Sequence, residues 1–505
     1  QPALNLNIGC WPGRDIWRRN PDRAPAHHRR FRLACHSCRC AAAIAPYNHR
    51  RACVTHFAAR GGLMNDSFRR AYWLAGTCLF ILALSLPARP LQQQQAPAQT
   101  QAPAPGQSPS QPAAPPSAGA SAPPASPLPP SPFGPPIRFA YGSNAAEIPA
   151  KFVANLVFLP VRVNVGQPSL FILDTDAPTS SIDPARAAEL GLPVDSSVSP
   201  ALHNAVLNFP GLDVPLFSLP TTANPDFASN VGRPYQGALG NDLLSRAVVE
   251  VDYSRKTVRI YDPATFTYSS KHGVAFPIKF SGSLPLLRAK FQVPGHKKLE
   301  AAFNIDTALD ASIVFSNRYA APHKIFSSHF KTIPAPAYDT YPGEAAVLGR
   351  ATSFAVGKIE RGDLVVSFSQ GNAGAAADPA VAGSIGGGYL RRFVVTFDFP
   401  HKQIFLAPTI NFNDVDDTDM SGLSLVARGG NLKTFVVTDI VPHSPAAEAG
   451  VQKGDVVAGV DDEPAADMSL QDLRNVFREV GRKCKLLLDR KGKELTVTLT
   501  LRRLI

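Results

Sequence analysis

Two aspartates with similar surroundings are the residues of this sequence best suited to perform chemistry. Asp174 and Asp306 each follow a short, mostly apolar run, and each is followed directly by a threonine, Thr175 and Thr307. Two carboxyl groups held close together do not both ionise readily, so they share a proton. The ionised carboxylate can deprotonate a water molecule while the protonated one donates to a substrate carbonyl oxygen. We therefore predict hydrolytic chemistry that uses no metal ion and no other cofactor.

The surroundings of the two aspartates repeat along the chain. The aspartates lie 132 residues apart, and each is followed later by a second short motif that ends in glycine. These motifs are Ala238-Leu239-Gly240 and Ser384-Ile385-Gly386, whose glycines lie 66 and 80 residues beyond the aspartates. Such a repeat predicts two similar units side by side, each contributing one carboxylate to a common cleft.

These motifs resemble those of the retropepsin-like and pepsin-like aspartic proteases. That family has an apolar-Asp-Thr-Gly-Ala motif and, later in each lobe, an apolar-apolar-Gly motif followed by Arg or Asn, Asp or Asn, and Leu. The segment Gly240-Asn241-Asp242-Leu243-Leu244 matches the second motif. The resemblance covers roughly residues 137–410. It implies a mainly β, bilobal body, with one lobe at residues 137–270 and the other at 271–410.

The resemblance also implies roles for individual residues. Asp174 and Asp306 match the catalytic pair, and Thr175 and Thr307 match threonines that hydrogen-bond across to the opposite lobe. Asp310 matches a family aspartate that contacts the substrate backbone. On this interpretation the chain is an endopeptidase that cleaves a polypeptide substrate between its two lobes.

Both halves depart from the family motif at one position. The glycine that should follow Asp-Thr is Asp176 in the first half and Ala308 in the second. In the family the small glycine lets backbone amides approach the carboxylates. Asp176 would either place a third charge beside the pair and raise neighbouring pKa values, or point into solvent. Three interpretations follow: an active peptidase, a catalytically degenerate relative that binds peptides, or two polar turns without chemistry.

A second resemblance covers the end of the chain. Residues 444–450 read Ser-Pro-Ala-Ala-Glu-Ala-Gly and 454–455 read Gly-Asp, as in the PDZ domains of bacterial secreted proteases. We predict an α+β PDZ domain at residues 422–505. The resemblance implies that it binds C-terminal peptides by strand addition beside Phe435–Val441, or is an empty packed module. The ligand carboxylate would meet a loop formed by Gly422, Leu423, Ser424 and Leu425.

Charge argues against a nucleic-acid partner. The 505 residues carry a net charge of +12, but residues 1–63 contain eleven arginines against two acidic residues. That segment accounts for +9, which leaves +3 for the rest of the chain. The body of the protein therefore shows no basic signal of the kind that nucleic-acid binding requires.

The N-terminal segments predict export. Residues 1–63 show no apolar period, and Cys35 and Cys38 supply only half of a zinc-site spacing, so we interpret this part as a disordered upstream extension without a metal site. Residues 64–90 then bring two arginines followed by an apolar run at 71–86. This pattern predicts a signal peptide or, alternatively, an uncleaved membrane tether, and hence a periplasmic or extracellular protein.

A proline-rich segment follows the leader. Residues 91–136 are almost all Pro, Ala, Ser and Gln, with too little apolar surface to offset the entropy of chain ordering. We therefore predict a disordered linker. After removal of the leader Cys484 is the only cysteine, so no internal disulfide is expected.

Local patterns predict how the remaining segments fold. The alternation of apolar and polar residues over 152–165 predicts one strand, and residues 248–251 and 257–261 predict a hairpin. The acidic residues of 411–421 predict a solvated linker, since a calcium loop would need a glutamate that this segment lacks.

The PDZ segment contains one clear helix signal. Ser469 and Asp472 predict a capping box at the start of a helix. The apolar residues that follow at helical spacing predict its buried face, which comprises Leu470, Leu473, Phe477 and Val480.

Overall fold

The computed structural model describes residues 131–325, 330–335, 345–371 and 378–505. The predicted upstream extension, the leader with its apolar run at 71–86, and most of the proline-rich linker lie outside these residues. No helix in the described part of the chain is long and apolar enough to cross a lipid bilayer. The described part is mostly β-strand, which confirms the predicted fold class.

Short strands dominate the first unit, which we define as β1 to β11. Its strands are β1 (Arg138–Phe139), β2 (Ala145–Pro149), β3 (Lys151–Val153), β4 (Leu156–Val163), β5 (Ser169–Leu173), β6 (Ser181–Ile182), β7 (Ala201–Phe209), β8 (Leu212–Pro220), β9 (Gly237–Leu239), β10 (Val248–Asp252) and β11 (Thr257–Tyr261). Its helices are α1 (Pro184–Glu189), α2 (Pro225–Val231) and α3 (Asn241–Leu244).

The second unit, β12 to β22, has a similar composition. Its strands are β12 (Val274–Pro277), β13 (Lys279–Ser281), β14 (Leu284–Gln292), β15 (Leu299–Ile305), β16 (Ile313–Phe315), β17 (Ile333–Pro334), β18 (Ala346–Val356), β19 (Ile359–Ser369), β20 (Val381–Ile385), β21 (Phe393–Asp398) and β22 (Gln403–Pro408). Its helices are α4 (Asn317–Ala320) and α5 (Gly387–Leu390).

The C-terminal unit forms its own sheet and core. Its elements are β23 (Leu423–Arg428), β24 (Thr434–Ile440), α6 (Pro445–Glu448), β25 (Val456–Val460), β26 (Glu463–Pro464), α7 (Leu470–Val476), β27 (Lys483–Arg490) and β28 (Lys493–Thr500). The strand order is β23-β24-β25-β27-β28, with β26 paired to β25. Leu425, Phe435, Leu473 and Leu486 belong to an apolar cluster separate from that of the first two units.

The repeat in the sequence corresponds to a repeat in strand pairing. In the first unit β9 lies between β5, to which it is parallel, and β6, to which it is antiparallel. In the second unit β20 lies in the same way between β15 and β16. Asp174 and Asp306 directly follow β5 and β15, so both aspartates occupy equivalent positions in the two units.

One sheet joins the two units. Its order is β12-β22-β21-β10-β11-β2, and β10 of the first unit pairs with β21 of the second, with Val249 opposite Phe397. The predicted hairpin of β10 and β11 is present in this sheet. Leu173 and Ile305 belong to one continuous apolar core, so the two strands that precede the aspartates pack into the same core.

Two local predictions were wrong. The run 152–165 is divided by a turn, because Ala154 and Asn155 adopt left-handed φ angles of 51° and 62°, so β3 and β4 form a hairpin. In the PDZ segment the capping box of Ser469 and Asp472 is present, but α7 ends at Val476. The helical spacing therefore stops before Val480, whose side chain is exposed.

Candidate active site

The loops after β5 and β15 are tied together by two threonines. The backbone amide of Thr175 donates to the hydroxyl oxygen of Thr307, and the amide of Thr307 donates to that of Thr175, each at 3.1 Å. The two hydroxyls donate in turn to the carbonyls of Ile305 and Leu173, each at 2.6 Å. Both threonines are fully buried. Since Asp174 and Asp306 immediately precede them, this reciprocal contact brings the two aspartate loops together.

Backbone amides reach both carboxyl groups, although neither loop has the glycine of the family motif. Oδ1 of Asp174 accepts hydrogen bonds from the amides of Asp176 and Ala177, both at 3.0 Å. Oδ1 of Asp306 accepts one from the amide of Ala308 at 2.9 Å. The larger residues in place of glycine therefore leave the turn geometry intact.

The two carboxyl groups differ in their electrostatic surroundings. Burial raises the pKa of Asp174, and the two amide hydrogen bonds partly oppose that rise. The pKa of Asp306 lies well above its usual range because of burial first, and then because of the negative charges of Asp174 and Asp176. Burial is thus the largest cause of the raised pKa at both carboxyl groups, and at Asp306 the charge of Asp174 adds to it.

Asp176 is a third acidic residue in this cluster. Its side chain is half-buried, and one carboxylate oxygen is enclosed without a hydrogen-bond partner. Burial and the charge of Asp174 raise the pKa of Asp176 to about 6, while the nearby amide of Asn304 partly opposes the rise. Of the two alternatives considered for Asp176, the structure therefore favours the one in which it acts on its neighbours.

The glycines of the second motif allow close packing behind each aspartate loop. The amides of Asp174 and Asp306 donate to the carbonyls of Leu239 and Ile385, at 2.9 and 3.0 Å. A Cβ atom on Gly240 would lie 2.5 Å from the carbonyl carbon of Thr179, and the equivalent glycine of the second unit is equally crowded. Both positions therefore require glycine.

A carboxylate also supports the first aspartate loop. The hydroxyl of Ser180 donates to Asp242 at 2.6 Å, and Arg246 donates to the backbone carbonyl of Asp242 at 2.6 Å. In the second unit the residue equivalent to Asp242 is Gly388, which has no side chain to offer. Arg392, the equivalent of Arg246, donates to the carbonyl of Gly388 at 2.6 Å.

Asp416 supplies the carboxylate that the second unit lacks. It accepts the hydroxyl of Ser312, the counterpart of Ser180, at 2.8 Å, and pairs with the fully buried Arg392 at 3.1 Å. The interpretation of residues 411–421 as a solvated linker was therefore wrong. Asp416 takes the place of the carboxylate that Gly388 cannot provide. The nearby Asp417 forms ion pairs with Arg350 and Arg503.

Asp310 lies where the second unit meets the other two units. Its Oδ1 accepts a hydrogen bond from Nδ2 of Asn155 in the first unit at 2.6 Å. Burial raises the pKa of Asp310, and the charges of Arg478 and Arg474 in the C-terminal unit oppose that rise. Its contact with substrate, implied by the resemblance, stays a prediction.

Sequence reasoning missed an apolar wall on the Asp174 side. A small buried cluster contains Phe158, Ile172 and Ala238. Phe227 of α2 and Tyr235, which follows α2, pack against this cluster. The pKa of Tyr235 is raised by burial first and also by the charge of Asp174, which places this wall near the aspartates. In the sequence, the proline at the start of α2 was the signal that could have predicted this helix.

The predicted ligand-binding loop of the C-terminal unit leads into its edge strand. Gly422 has a φ of 80°, and a Cβ there would lie 2.2 Å from that of Ser444, so only glycine fits. Strand addition beside Phe435–Val441 was wrongly predicted, because β24 is paired on both sides, with β23 and β25. The edge available to a ligand strand is that of β23, which begins at Leu423.

The PDZ-domain family model matches residues 436–490, so the C-terminal unit is confirmed as a PDZ domain. No curated protein matches the chain. A photosystem II D1 C-terminal processing protease shares 31% identity over 16% of this chain and 22% of its own, with a TM-score of 0.15. An aspartic proteinase from Irpex lacteus shares 12% identity over 54% of this chain and 100% of its own, with a TM-score of 0.33.

This chain thus spans about a fifth of the D1 processing protease. Neither TM-score is high enough to establish a shared fold. The function of the first two units must therefore be inferred from the geometry of the aspartate loops.

Proposed function

We propose that the first two units form an aspartic-type endopeptidase with Asp174 and Asp306 as its catalytic pair. The observation that supports this most directly is the reciprocal hydrogen bonding of Thr175 and Thr307, which joins equivalent loops from two equivalent units. An isolated polar turn would not need such a partner. The charge of Asp174 is among the causes that raise the pKa of Asp306, which further supports a shared proton.

The surroundings of the pair suggest how its labour is divided. We assign the base to Asp174, whose Oδ1 accepts two amide hydrogen bonds, and Asp174 then takes a proton from a water molecule between the carboxyl groups. Asp306, which keeps its proton, donates it to the carbonyl oxygen of the scissile peptide as the water attacks the carbon. Asp174 then gives the proton that it took from water to the nitrogen of the tetrahedral intermediate, Asp306 recovers its proton from a hydroxyl of the intermediate, and the carbon–nitrogen bond breaks.

Asp176 favours a second candidate function, that of a catalytically degenerate peptide-binding protein. Its buried carboxylate oxygen has no partner, and its charge adds to that of the catalytic pair. A permanently three-carboxylate cluster would hold protons too tightly for water activation near neutral pH. The cleft would then bind a polypeptide without cleaving it.

We further propose that the PDZ domain presents polypeptides to the cleft. PDZ domains bind peptides by strand addition, and Gly422, Leu423, Ser424 and Leu425 precede or begin the edge strand here. We also propose a periplasmic or extracellular location, supported by the sequence pattern of residues 64–90, with residues 71–86 as a signal segment or a membrane tether. No nucleic-acid partner is proposed.

Hydrolysis of unfolded casein between pH 3 and 7 tests the proposal. The full chain should cleave casein, a statine-containing transition-state mimic should inhibit it, and Asp174→Asn and Asp306→Asn should each abolish cleavage. Asp262→Asn, a surface change in a turn, should leave cleavage unchanged. A correctly folded wild-type chain that binds casein peptides at all these pH values but never cleaves them would establish the second candidate instead.

A further inference from the structure

The PDZ domain has a groove between its edge strand and its long helix. Strand β23 is the end of the sheet order, and α7 lies alongside it. An added ligand strand would pair with the free edge of β23 and lie beneath α7. Edge strands are usually exposed, as the opposite edge β28 is here. In β23, by contrast, Leu423 to Ala427 are all buried.

The first unit is what covers this groove. Helix α2 packs against β23, and Gly232, the residue directly after α2, lies against Leu470 at the start of α7. A Cβ atom on Gly232 would lie 2.8 Å from the Cβ atom of Leu470, closer than real Cβ contacts. The contact therefore depends on glycine at this position, where φ is also 73°.

An arginine side chain already forms a hydrogen bond with a backbone carbonyl of β23 to which a ligand strand would bind. Nη2 of Arg474 in α7 donates to the carbonyl oxygen of Leu425 in β23 at 3.0 Å, and the arginine is buried. Its charge also acts on Asp310 of the second unit. Strand addition to β23 requires free carbonyls along the edge, so this hydrogen bond competes with a ligand.

A carboxylate already lies at the mouth of the groove. Oδ1 of Asp419 accepts hydrogen bonds from the amides of Ser421 and Gly422, at 2.8 and 3.0 Å. This places a negative charge beside the loop to which the terminal carboxylate of a peptide would bind. Three separate contacts, from α2, Arg474 and Asp419, thus fill or oppose the same site.

We propose that the groove of the PDZ domain is occupied by the α2 segment of the first unit, and that α2 and a C-terminal peptide exclude one another. A peptide that enters beside β23 must displace α2. Because Phe227 of α2 and the following Tyr235 form the apolar wall near Asp174, their displacement opens that side of the cleft. The exclusion stands by itself, whereas its effect on cleavage rests on the proposed peptidase function.

Exclusion has a measurable consequence for peptide affinity. When only a fraction of molecules has an open groove, the apparent dissociation constant equals the intrinsic one divided by that fraction. A change that loosens α2 should therefore tighten peptide binding although it touches no ligand. By reciprocity, a bound peptide should loosen α2.

The test uses the full chain with Asp174→Asn, so that cleavage cannot consume the probe. Fluorescent decapeptides with a free C-terminal carboxylate and an apolar last residue are titrated against it. Gly232→Ala should lower the dissociation constant at least tenfold, and Arg474→Met, which frees the Leu425 carbonyl, should lower it independently. The matched control is Gly191→Ala, because Gly191 has a similar φ of 63° but open space around its Cβ position.

Hydrogen exchange gives the second readout. Saturating peptide should raise amide exchange in α2 and leave that in α1 unchanged, and all variants should keep protected core strands. Equal affinities in all variants, or a bound peptide without faster exchange in α2, would overturn the proposal. Failure of every peptide to bind any variant would overturn it as well. Since none of these readouts involves cleavage, a failed peptidase proposal would be recognised separately.

Discussion

The amide of Thr175 and the amide of Thr307 each donate to the hydroxyl oxygen of the other residue at the same distance, 3.1 Å. Such equality arises when two copies of one loop meet about a local twofold axis. Each hydroxyl also donates to a carbonyl of the opposite unit, so its hydrogen-bonding capacity is used in both directions. The two units are thereby held together at the position where both aspartates are presented.

Thr307→Val should therefore damage both stability and cleavage. The change leaves the amide of Thr175 and the carbonyl of Leu173 buried without partners, which should cost about 2–5 kcal/mol of unfolding free energy. Thr307→Ser keeps the hydroxyl and should cost about 1 kcal/mol for the lost methyl group. Urea unfolding and casein cleavage measure the two effects. Equal losses in both variants would show that the hydroxyl bonds are unimportant.

Asp416→Asn should destabilise the second unit. Arg392 is fully buried and would lose its charged partner, which should cost roughly 3 kcal/mol. The matched control is Asp414→Asn, because Asp414 is more exposed and its partner Arg391, unlike Arg392, is only partly buried, and exposed pairs contribute little. Thermal unfolding of both variants provides the comparison. Similar melting temperatures for the two would contradict the supporting role assigned to Asp416.

Asp176→Asn should shift the pH dependence of cleavage. The negative charge of Asp176 raises the pKa of Asp306, so its removal should lower that pKa. Because Asp306 must be protonated to act, the alkaline limb of the rate profile should move to lower pH. Asp262→Asn should leave the limb in place. An unmoved limb in Asp176→Asn would mean that this charge does not reach the pair.

Asp419 should make the folded chain less stable as pH rises. Burial raises its pKa to about 6, above the unfolded value of 3.8, so the folded state binds more protons between these values. Stability from this group is full below the unfolded pKa and falls as pH rises through 6. Asp419→Asn should remove this decline and be more stable at pH 7.5 by up to about 3 kcal/mol.

The decline is measured by urea unfolding at a series of pH values. Asp489→Asn, in β27 of the same domain, serves as the control and should keep the slope of the wild-type chain. If Asp419→Asn also kept that slope, the carboxyl of Asp419 would be ionised throughout and its surroundings less apolar than they look.

The sequence was sufficient to predict those parts of the site that are formed by residues close together in the chain. Asp174 and Thr175 lie in one turn, as do Asp306 and Thr307. The repeated motifs around the two aspartates indicated that these turns are equivalent. The capping box at Ser469 was predictable for the same reason, since its two members are three residues apart. Contacts within a few residues leave a readable pattern.

Contacts between distant segments left no such pattern. Asp416 and Ser312 are 104 residues apart, and only the absence of a side chain at Gly388 hinted that a substitute was needed. The order of strands in the PDZ sheet depends on tertiary pairing, so the free edge could not be located from the alternation of residues. The wall around Phe227 likewise joins this residue to Phe158 and Ile172, which lie in strands far earlier in the chain.

The position of Asp416, outside the second unit that it supports, has a practical consequence for dividing this protein into shorter chains. The change in composition after residue 410 suggests an obvious place to separate the two functions. A chain ended there would lose Asp416 and leave Arg392 enclosed without its anion, so its failure would be mistaken for dependence on the PDZ domain. Shortened versions should instead retain residues through at least Asp416, and genetic exchange of this module between proteins would meet the same boundary.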